Sequence, residues 1–367
     1  MEQINKPNKE INIGISLLRI WMCFEVVLEH FKTWDWDSLN QTSKLHQHIC
    51  SFLNFNMFMA VPCFMILAFM FTDIVQITKE EEQLKRRLIR LIIPVIFWAI
   101  LYLIVYLILD YVYGTKLLQF KTDLLWQIAF GHAYNRTLWF QFDLIVITLL
   151  YVCIFKYLAK KNAFTVIVFL TLFALMAQYS NMNAIIMQKI NLGGYPKTYV
   201  LEPLGRLCEM IPYATIGVLI KEFNIFDGDD SIFRILFKII SSIIIIIFLK
   251  NVSVFYTPSG FVYQGLLKIV IAFFYVFIFY RIHRLLISSK LNICVVRGGV
   301  NFIAKYTMGI YFTQRLIASI LYTTGLYSFF RMVKGSFYDC IIIWILSFII
   351  CYLLSLIPVK FIKQCVC

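Results

Sequence analysis

Apolar runs of about 20 residues recur along the whole chain, and no other feature limits the fold as strongly. A helix of that length crosses about 30 Å of hydrocarbon. Backbone N–H and C=O groups in lipid have to be paired within a helix or within a closed barrel. The runs lack the alternation of barrel strands, so the sequence predicts an all-α polytopic integral membrane protein.

Ten such runs predict a bundle of about ten transmembrane helices. The predicted spans are residues 12–31, 50–72, 91–112, 138–155, 163–180, 207–221, 235–250, 263–281, 302–322 and 338–357. The chain is 61% hydrophobic and 15% charged, whereas soluble domains contain about 25% charged residues. Because no internal repeat or linker separates the spans, residues 1–367 are predicted to form one transmembrane domain without a soluble accessory domain.

The formal net charge of +14 raises the question of nucleic-acid binding. The sequence argues against it, because the basic residues lie at the ends of apolar spans, where they orient helices. Nineteen Lys and Arg residues fall on the side of the membrane that holds the N-terminus, and eleven fall on the other side. Both termini are therefore predicted to be cytoplasmic. The Cys residues are scattered without metal-ligand spacing, so no metal site is predicted.

The first predicted span contains four residues that are costly in a membrane: Arg19, Glu25, Glu29 and His30. A charged side chain at a helix centre costs about 2.5–3.5 kcal/mol on insertion scales, and it usually faces a bundle interior or a wet cavity. Arg19 and His30 share one helix face, ~16 Å apart along the axis, which makes them a candidate functional pair. The alternative is that His30 is interfacial and Arg19 pairs with a buried carboxylate.

A second cluster, KEEEQLKRRLIRLIIP, opens the third span. Arg87 and Arg90 are three residues apart and therefore share a helix face. Guanidinium groups bind phosphate in a bidentate manner, so this pair is a candidate phosphate site. The alternative is that the two arginines only mark the cytoplasmic end of a helix.

A third feature is RTLWFQFDLIVITLL at residues 136–150. Trp139 and Phe140 are typical of an aromatic belt at a membrane interface. Asp143 lies one turn deeper, in an otherwise apolar run. It is either a counter-ion for Arg19 or a substrate contact, and the sequence leaves both interpretations open.

Taken in order, five short motifs resemble the membrane-bound acyltransferase 3 family, bacterial enzymes that place acyl groups, most often acetyl, on cell-surface carbohydrates. The resemblance extends over essentially the full length. The motifs are Arg19 with His30, Val61-Pro62-Cys63-Phe64, Arg87-Leu-Ile-Arg90, Leu138-Trp139-Phe140 and Gly309-Ile310-Tyr311. The chain departs from the family at Leu67-Ala68, where Ser-Gly is frequent, and at Gln314, where His is frequent.

The resemblance implies a protein of the bacterial cytoplasmic membrane, with the lipid bilayer around it and no permanently bound cofactor. Acyl-CoA, most often acetyl-CoA, is then the cytosolic co-substrate. The acceptor is a hydroxyl group of a lipid-linked or exported glycan, such as O-antigen, capsule or exopolysaccharide.

The same resemblance implies roles for individual residues. His30 is the expected general base, because histidine suits proton transfer at neutral pH. Arg19 is expected to orient the acyl group or the pantetheine arm, or to stabilise the oxyanion. Arg87 and Arg90 are expected to contact the CoA phosphates. Four further residues are candidates for substrate or structural contacts: Glu29, Trp139, Asp143 and Tyr311.

Two other classes of function are weighed against the enzyme. A transporter or flippase for a glycan or an acyl group would share the buried charges and the number of spans. Transporters usually contain broken helices in paired repeats, and the sequence shows no repeat. A non-catalytic scaffold leaves the Arg19–His30 pair unexplained.

Overall fold

The computed structural model describes residues 12–31, 44–56, 58–117, 138–179, 198–226, 228, 231–255, 261–288, 294–329 and 336–367. These ranges contain helices and no strand. The helices are α1 (Ile13–Phe31), α2 (Lys44–Asn56), α3 (Ala60–Met70), α4 (Ile74–Lys79), α5 (Glu81–Tyr113), α6 (Trp139–Tyr157), α7 (Lys160–Tyr179), α8 (Thr198–Glu222), α9 (Ile232–Phe255), α10 (Phe261–Ser288), α11 (Cys294–Lys305), α12 (Thr307–Thr324), α13 (Leu326–Phe329), α14 (Phe337–Leu356) and α15 (Lys360–Val366).

The fold is that of a polytopic helical membrane protein. Among the described residues, 6 helices are long and apolar enough to cross a membrane: α5, α6, α7, α9, α10 and α14. The longest of them, α5, buries Trp98, Tyr102 and Tyr106, which recur every four residues along one face. Its other faces expose isoleucines such as Ile96 and Ile100. An apolar face without a protein partner is suited to lipid.

Each predicted span falls on a helix, but two of them are not continuous. The span predicted at 50–72 is divided into α2 and α3, and Phe58 between them has a φ of 68°. This left-handed conformation is strained for a bulky residue and ends a regular helix. The span predicted at 302–322 is divided at Tyr306 into α11 and α12. The total of ten transmembrane helices therefore stays a prediction.

Helix α1 lies inside the bundle and packs against α3, α10, α11, α12 and α14. Gly14 permits the close approach of α10, because a Cβ at this position would collide with the Phe279 carbonyl group. The polar residues of α1 consequently face other helices, as their cost in lipid requires. This central position explains why the span with the weakest hydropathy holds the candidate functional residues.

Helix α15 packs against α5, α12 and α14. The Trp98 Nε1–H of α5 donates to the Cys365 carbonyl oxygen at 3.1 Å, and Tyr102 donates to the Phe312 carbonyl oxygen at 2.8 Å. A tryptophan N–H and a tyrosine O–H that are buried need partners of this kind. These two bonds fix α5 against α12 and α15.

Candidate active site

A cavity of about 700 Å³ lies between α1, α3, α5, α6 and α12. Three arginines line it: Arg19 from α1, and Arg87 and Arg90 from α5. The described residues that line the cavity include no acidic side chain. Arg19 and Arg87, which are 68 residues apart in sequence, therefore meet around one strongly cationic space.

Arg87 is held in place by its neighbours. Its Nη1 donates to the Thr72 hydroxyl, and its Nε and Nη2 both approach the Thr148 hydroxyl at 3.4 Å. The guanidinium carbon lies 5.5 Å from the centre of the Phe69 ring, within cation–π range. A guanidinium that is oriented before a ligand arrives loses less conformational entropy on binding.

Arg19 and Arg90 are less constrained. Arg19 is half-buried and Arg90 is exposed. Within the described part of the chain, neither has a hydrogen bond or an ion pair. The carboxylate partner considered for Arg19 is therefore not found among these residues, and both cations are available to an anionic ligand in the cavity.

A second recess of about 610 Å³ adjoins the cavity and shares Phe71, Thr72, Arg87 and Arg90 with it. Arg86 and Lys221 add positive charge to its wall. The acidic member of the wall, Asp73, accepts from the Gln76 N–H at 2.9 Å as the N-cap of α4. The two spaces together suit an elongated ligand that carries several negative charges at one end.

The opposite end of the cavity is closed by aromatic rings. Phe64 and Phe140 have ring centres 6.4 Å apart, and Phe140 and Tyr311 have ring centres 5.9 Å apart. All three residues line the cavity. We refer to Phe64, Phe140 and Tyr311 as the aromatic wall.

His30 does not line this cavity, although Arg19 on the same helix does. It lies beside Gln314 and within electrostatic range of Arg315, both on α12. Its Nδ1 is buried and has no hydrogen-bond partner within the described part of the chain. Gln314 follows Tyr311 by three residues, so His30 is about one helical turn beyond the aromatic wall. The two residues of the predicted pair thus lie on opposite sides of the aromatic wall.

Asp143 is fully buried, and its partner is Arg206 of α8, with Nε and Oδ2 3.5 Å apart. The interpretation of Asp143 as the counter-ion of Arg19 is therefore not supported. The Arg206 guanidinium also lies over the Trp139 ring, 5.3 Å from its centre. Tyr311 is within electrostatic range of Asp143, Arg206, Arg315 and Glu29. A charged cluster of these four side chains thus surrounds the Tyr311 ring.

Glu25 and Glu29 bind backbone N–H groups at the start of α3, and for Glu29 this is the structural one of the two kinds of contact expected from the sequence. The Met59 N–H donates to Glu25 Oε1, and the Phe58 N–H donates to Glu29 Oε1, both at 2.7 Å. These two N–H groups belong to the residues just before α3. Carboxylates at a helix N-terminus stabilise it through hydrogen bonds and the helix dipole. The candidate contact at Glu29 is therefore at least in part a cap for α3.

Both departures from the family pattern lie at the site. Leu67 and Ala68 line the cavity, and Gln314 is the neighbour of His30. The sequence analysis missed Arg206 and Arg315 as members of the charged cluster. For Arg315 a signal was present, because it follows Tyr311 by four residues and so shares its helix face.

Fold and site define a polytopic helical membrane protein with a cationic ligand cavity and a separate polar cluster beyond it. A family model described as an acyltransferase domain matches residues 12–359, nearly the whole chain. The chain therefore belongs to the acyltransferase 3 family and is an acyltransferase. The searches of curated proteins and of solved structures each found no match.

Proposed function

We propose that this protein transfers an acyl group, most often acetyl, from cytosolic acyl-CoA to a hydroxyl group of a lipid-linked or cell-surface glycan such as O-antigen, capsule or exopolysaccharide. The protein then lies in a bacterial cytoplasmic membrane, with both termini in the cytoplasm. The donor enters the cavity from the end at which Arg87 and Arg90 lie.

The observation that carries this proposal is the convergence of Arg19, Arg87 and Arg90 on one cavity whose described lining includes no acidic residue. CoA has several phosphate groups at one end and a long, mostly neutral arm that ends in the thioester. The recess with Arg86, Arg87 and Arg90 suits the phosphates, and the apolar part of the cavity suits the arm.

In the proposed reaction His30 takes the proton of the acceptor hydroxyl as the oxygen attacks the thioester carbonyl carbon. A C–O bond forms and the C–S bond breaks. The CoA thiolate that leaves recovers the proton from His30, so no oxidant or reductant is needed. Arg19 lies in the cavity, on the entrance side of the aromatic wall, and it orients the pantetheine arm as the thioester moves towards His30.

The proposal is tested with purified protein in lipid nanodiscs. The donor is acetyl-CoA with a labelled acetyl group, and the acceptor is host surface polysaccharide from which esters have been removed by mild alkali. We expect release of the CoA thiol that depends on the polysaccharide, and labelled acetyl ester in the polysaccharide by mass spectrometry. A transporter or flippase would consume no acetyl-CoA, so the absence of thiol release would reject the proposal.

A further inference from the structure

The cavity has a closed end whose position follows from the directions of its helices. On each helix that lines it, one residue lies furthest from Arg87 and Arg90: Phe64 on α3, Phe140 on α6 and Tyr311 on α12. On α1 that residue is Arg19. The end opposite the cationic entrance therefore consists of the aromatic wall and one guanidinium group.

Phe140 contacts both other rings of the wall; Phe140 and Tyr311 are buried, and Phe64 is half-buried. Phe140 is 3% exposed and Tyr311 is 4% exposed, and Tyr311 also contacts Phe312 with ring centres 5.5 Å apart. Aromatic side chains in such mutual contact have few alternative rotamers, because protein interiors are close-packed. Phe140 and Tyr311 are therefore the tightly packed part of the wall, and Phe64 is its more open part.

We propose that the aromatic wall sets the size of the acyl group that this enzyme transfers. The inference rests on the proposed function. With the phosphates at Arg87 and Arg90, the pantetheine arm passes Arg19 and the acyl end of the donor points to the wall. A longer acyl group meets the rings of the wall and holds the carbonyl carbon back towards the entrance, away from His30. Each added methylene group holds the carbonyl carbon further from it.

The wall thus selects acetyl over longer acyl groups by steric exclusion. In a rigid apolar pocket, one methylene group changes kcat/KM by about tenfold or more. Removal of one ring should create space for about two to four carbon atoms and should relax this selection without any change at the cationic entrance.

The test compares acetyl-CoA, butyryl-CoA and hexanoyl-CoA as donors for the purified protein in nanodiscs. The readout is the ratio of kcat/KM for each longer donor to kcat/KM for acetyl-CoA. We expect Phe64→Ala and Phe140→Ala to raise the butyryl ratio at least about tenfold. Tyr311→Phe keeps the ring and should leave the ratio as it is in the unaltered protein.

Phe71→Ala is the matched control, because Phe71 is a phenylalanine that lines the same cavity at the entrance end. It should change the use of all three donors by one common factor and so leave the ratios constant. If an alanine variant does not fold, Phe64→Leu and Phe140→Leu keep an apolar side chain and should raise the ratio by a smaller factor.

Constant ratios in all folded wall variants, with acetyl-CoA still consumed by the unaltered protein, would overturn this inference and leave the proposed function intact. Equal increases for Phe64→Ala and Phe71→Ala would also overturn it. If the unaltered protein consumes no acyl-CoA of any length, the proposed function and the inference both fail.

Discussion

Arg87 and Arg90 are three residues apart and line the same cavity, yet their surroundings differ. Arg87 is bound to Thr72 and Thr148 and lies over Phe69, whereas Arg90 is exposed and has no described partner. Loss of the Arg90 side chain should therefore weaken ligand binding and leave the packing of the helices unchanged. Loss of the Arg87 side chain should weaken ligand binding and also disturb the packing of α5 against its neighbours.

We predict that Arg90→Ala raises the KM for acetyl-CoA roughly 10–100-fold, because one charge-assisted phosphate contact contributes about 1.5–3 kcal/mol. The apparent unfolding temperature in detergent should stay as it is in the unaltered protein. Arg90→Lys should restore KM only in part, since lysine lacks the planar fork of arginine. Arg234→Ala, an exposed arginine at the start of α9 that does not line the cavity, is the control. If all three variants have the same KM for acetyl-CoA as the unaltered protein, Arg90 does not bind the donor and only marks the cytoplasmic end of α5.

Sequence spacing predicted which arginines of α5 share a face, but it did not predict ion pairs between helices. The interval of three residues placed Arg87 and Arg90 on one face, and both do line the cavity. The partner of Asp143 could not be predicted, because Arg206 is 63 residues away and the pair depends on how α6 packs against α8. Ion pairs between helices are a property of the packed bundle.

At the scale of helices, the break between α2 and α3 is stabilised by side chains of α1 and α9, and we call this break the α2–α3 joint. Besides the bonds from Glu25 and Glu29, the Lys250 Nζ of α9 donates to the Phe55 carbonyl oxygen and lies over the Phe55 and Tyr275 rings. Glu25 and Lys250 are 1% and 9% exposed and are within electrostatic range of each other. Each of the two charges compensates the other in a buried setting.

We therefore predict that Glu25→Gln and Lys250→Met are not additive. Lys250→Met should lower the apparent unfolding temperature in detergent, because it leaves a buried carboxylate without its cation. The loss of unfolding free energy in the double variant should be smaller than the sum of the losses in the two single variants. The difference, which is the coupling energy, should be about 0.5–3 kcal/mol. The exposed pair of Glu82 and Arg86, 3.1 Å apart, is the control and should show a coupling of about 0–1 kcal/mol. Additive effects at Glu25 and Lys250 would contradict the account of this joint.

Every span that hydropathy predicted falls on helix, because the cost of unpaired backbone groups in lipid makes helix the rule there. The short helices α4, α13 and α15 lie outside these spans. Hydropathy did not locate the breaks. The turn at Tyr306 contains neither Gly nor Pro, and the break near Phe58 is stabilised by carboxylates from a different helix. Breaks of this kind are set by tertiary contacts, which hydropathy does not report.

At the scale of the whole molecule, the proposed reaction needs a defined orientation. The donor arrives at the Arg87 and Arg90 end, and His30 lies further towards the other end of the bundle. The excess of Lys and Arg in alternate segments predicts that residues 79–90 are cytoplasmic and that residues 114–137 are extracytoplasmic. Residues 118–137 lie outside the described residues.

We predict that a single cysteine at Asn135, which lies outside the described residues, reacts with a membrane-impermeant maleimide in intact cells. A single cysteine at Glu81, which is exposed at the start of α5, should react only after the membrane is opened. The native cysteines are first replaced, because Cys153 is exposed. The reverse labelling pattern would place Arg87 and Arg90 on the extracytoplasmic side of the membrane, where a cytosolic acyl-CoA could not reach them.

The composition of the whole chain predicted a helical membrane protein, and the five motifs predicted its family, which the match over residues 12–359 confirms. The wall between the cavity and His30 could not be predicted. It is built from residues 64, 140 and 311 on three helices, and their contact depends on the assembled bundle.

The central claim is that His30 makes this protein an acyltransferase, and one measurement tests it directly. Cells that lack the chromosomal copy are complemented with the unaltered protein, with His30→Gln or with His30→Ala, at expression levels matched by immunoblot. Acyl esters on the surface polysaccharide are then quantified by mass spectrometry. His48→Ala, at an exposed histidine of α2, is the control and should acylate normally.

We predict that both His30 variants lose acylation, because the absence of a general base costs about 10²–10⁴ in rate and glutamine cannot take up a proton at neutral pH. The protein level of His30→Ala should equal or exceed that of the unaltered protein, since this substitution removes a polar side chain from α1. Near-normal acylation by His30→Gln at matched expression would contradict the account and leave His30 as an interfacial residue.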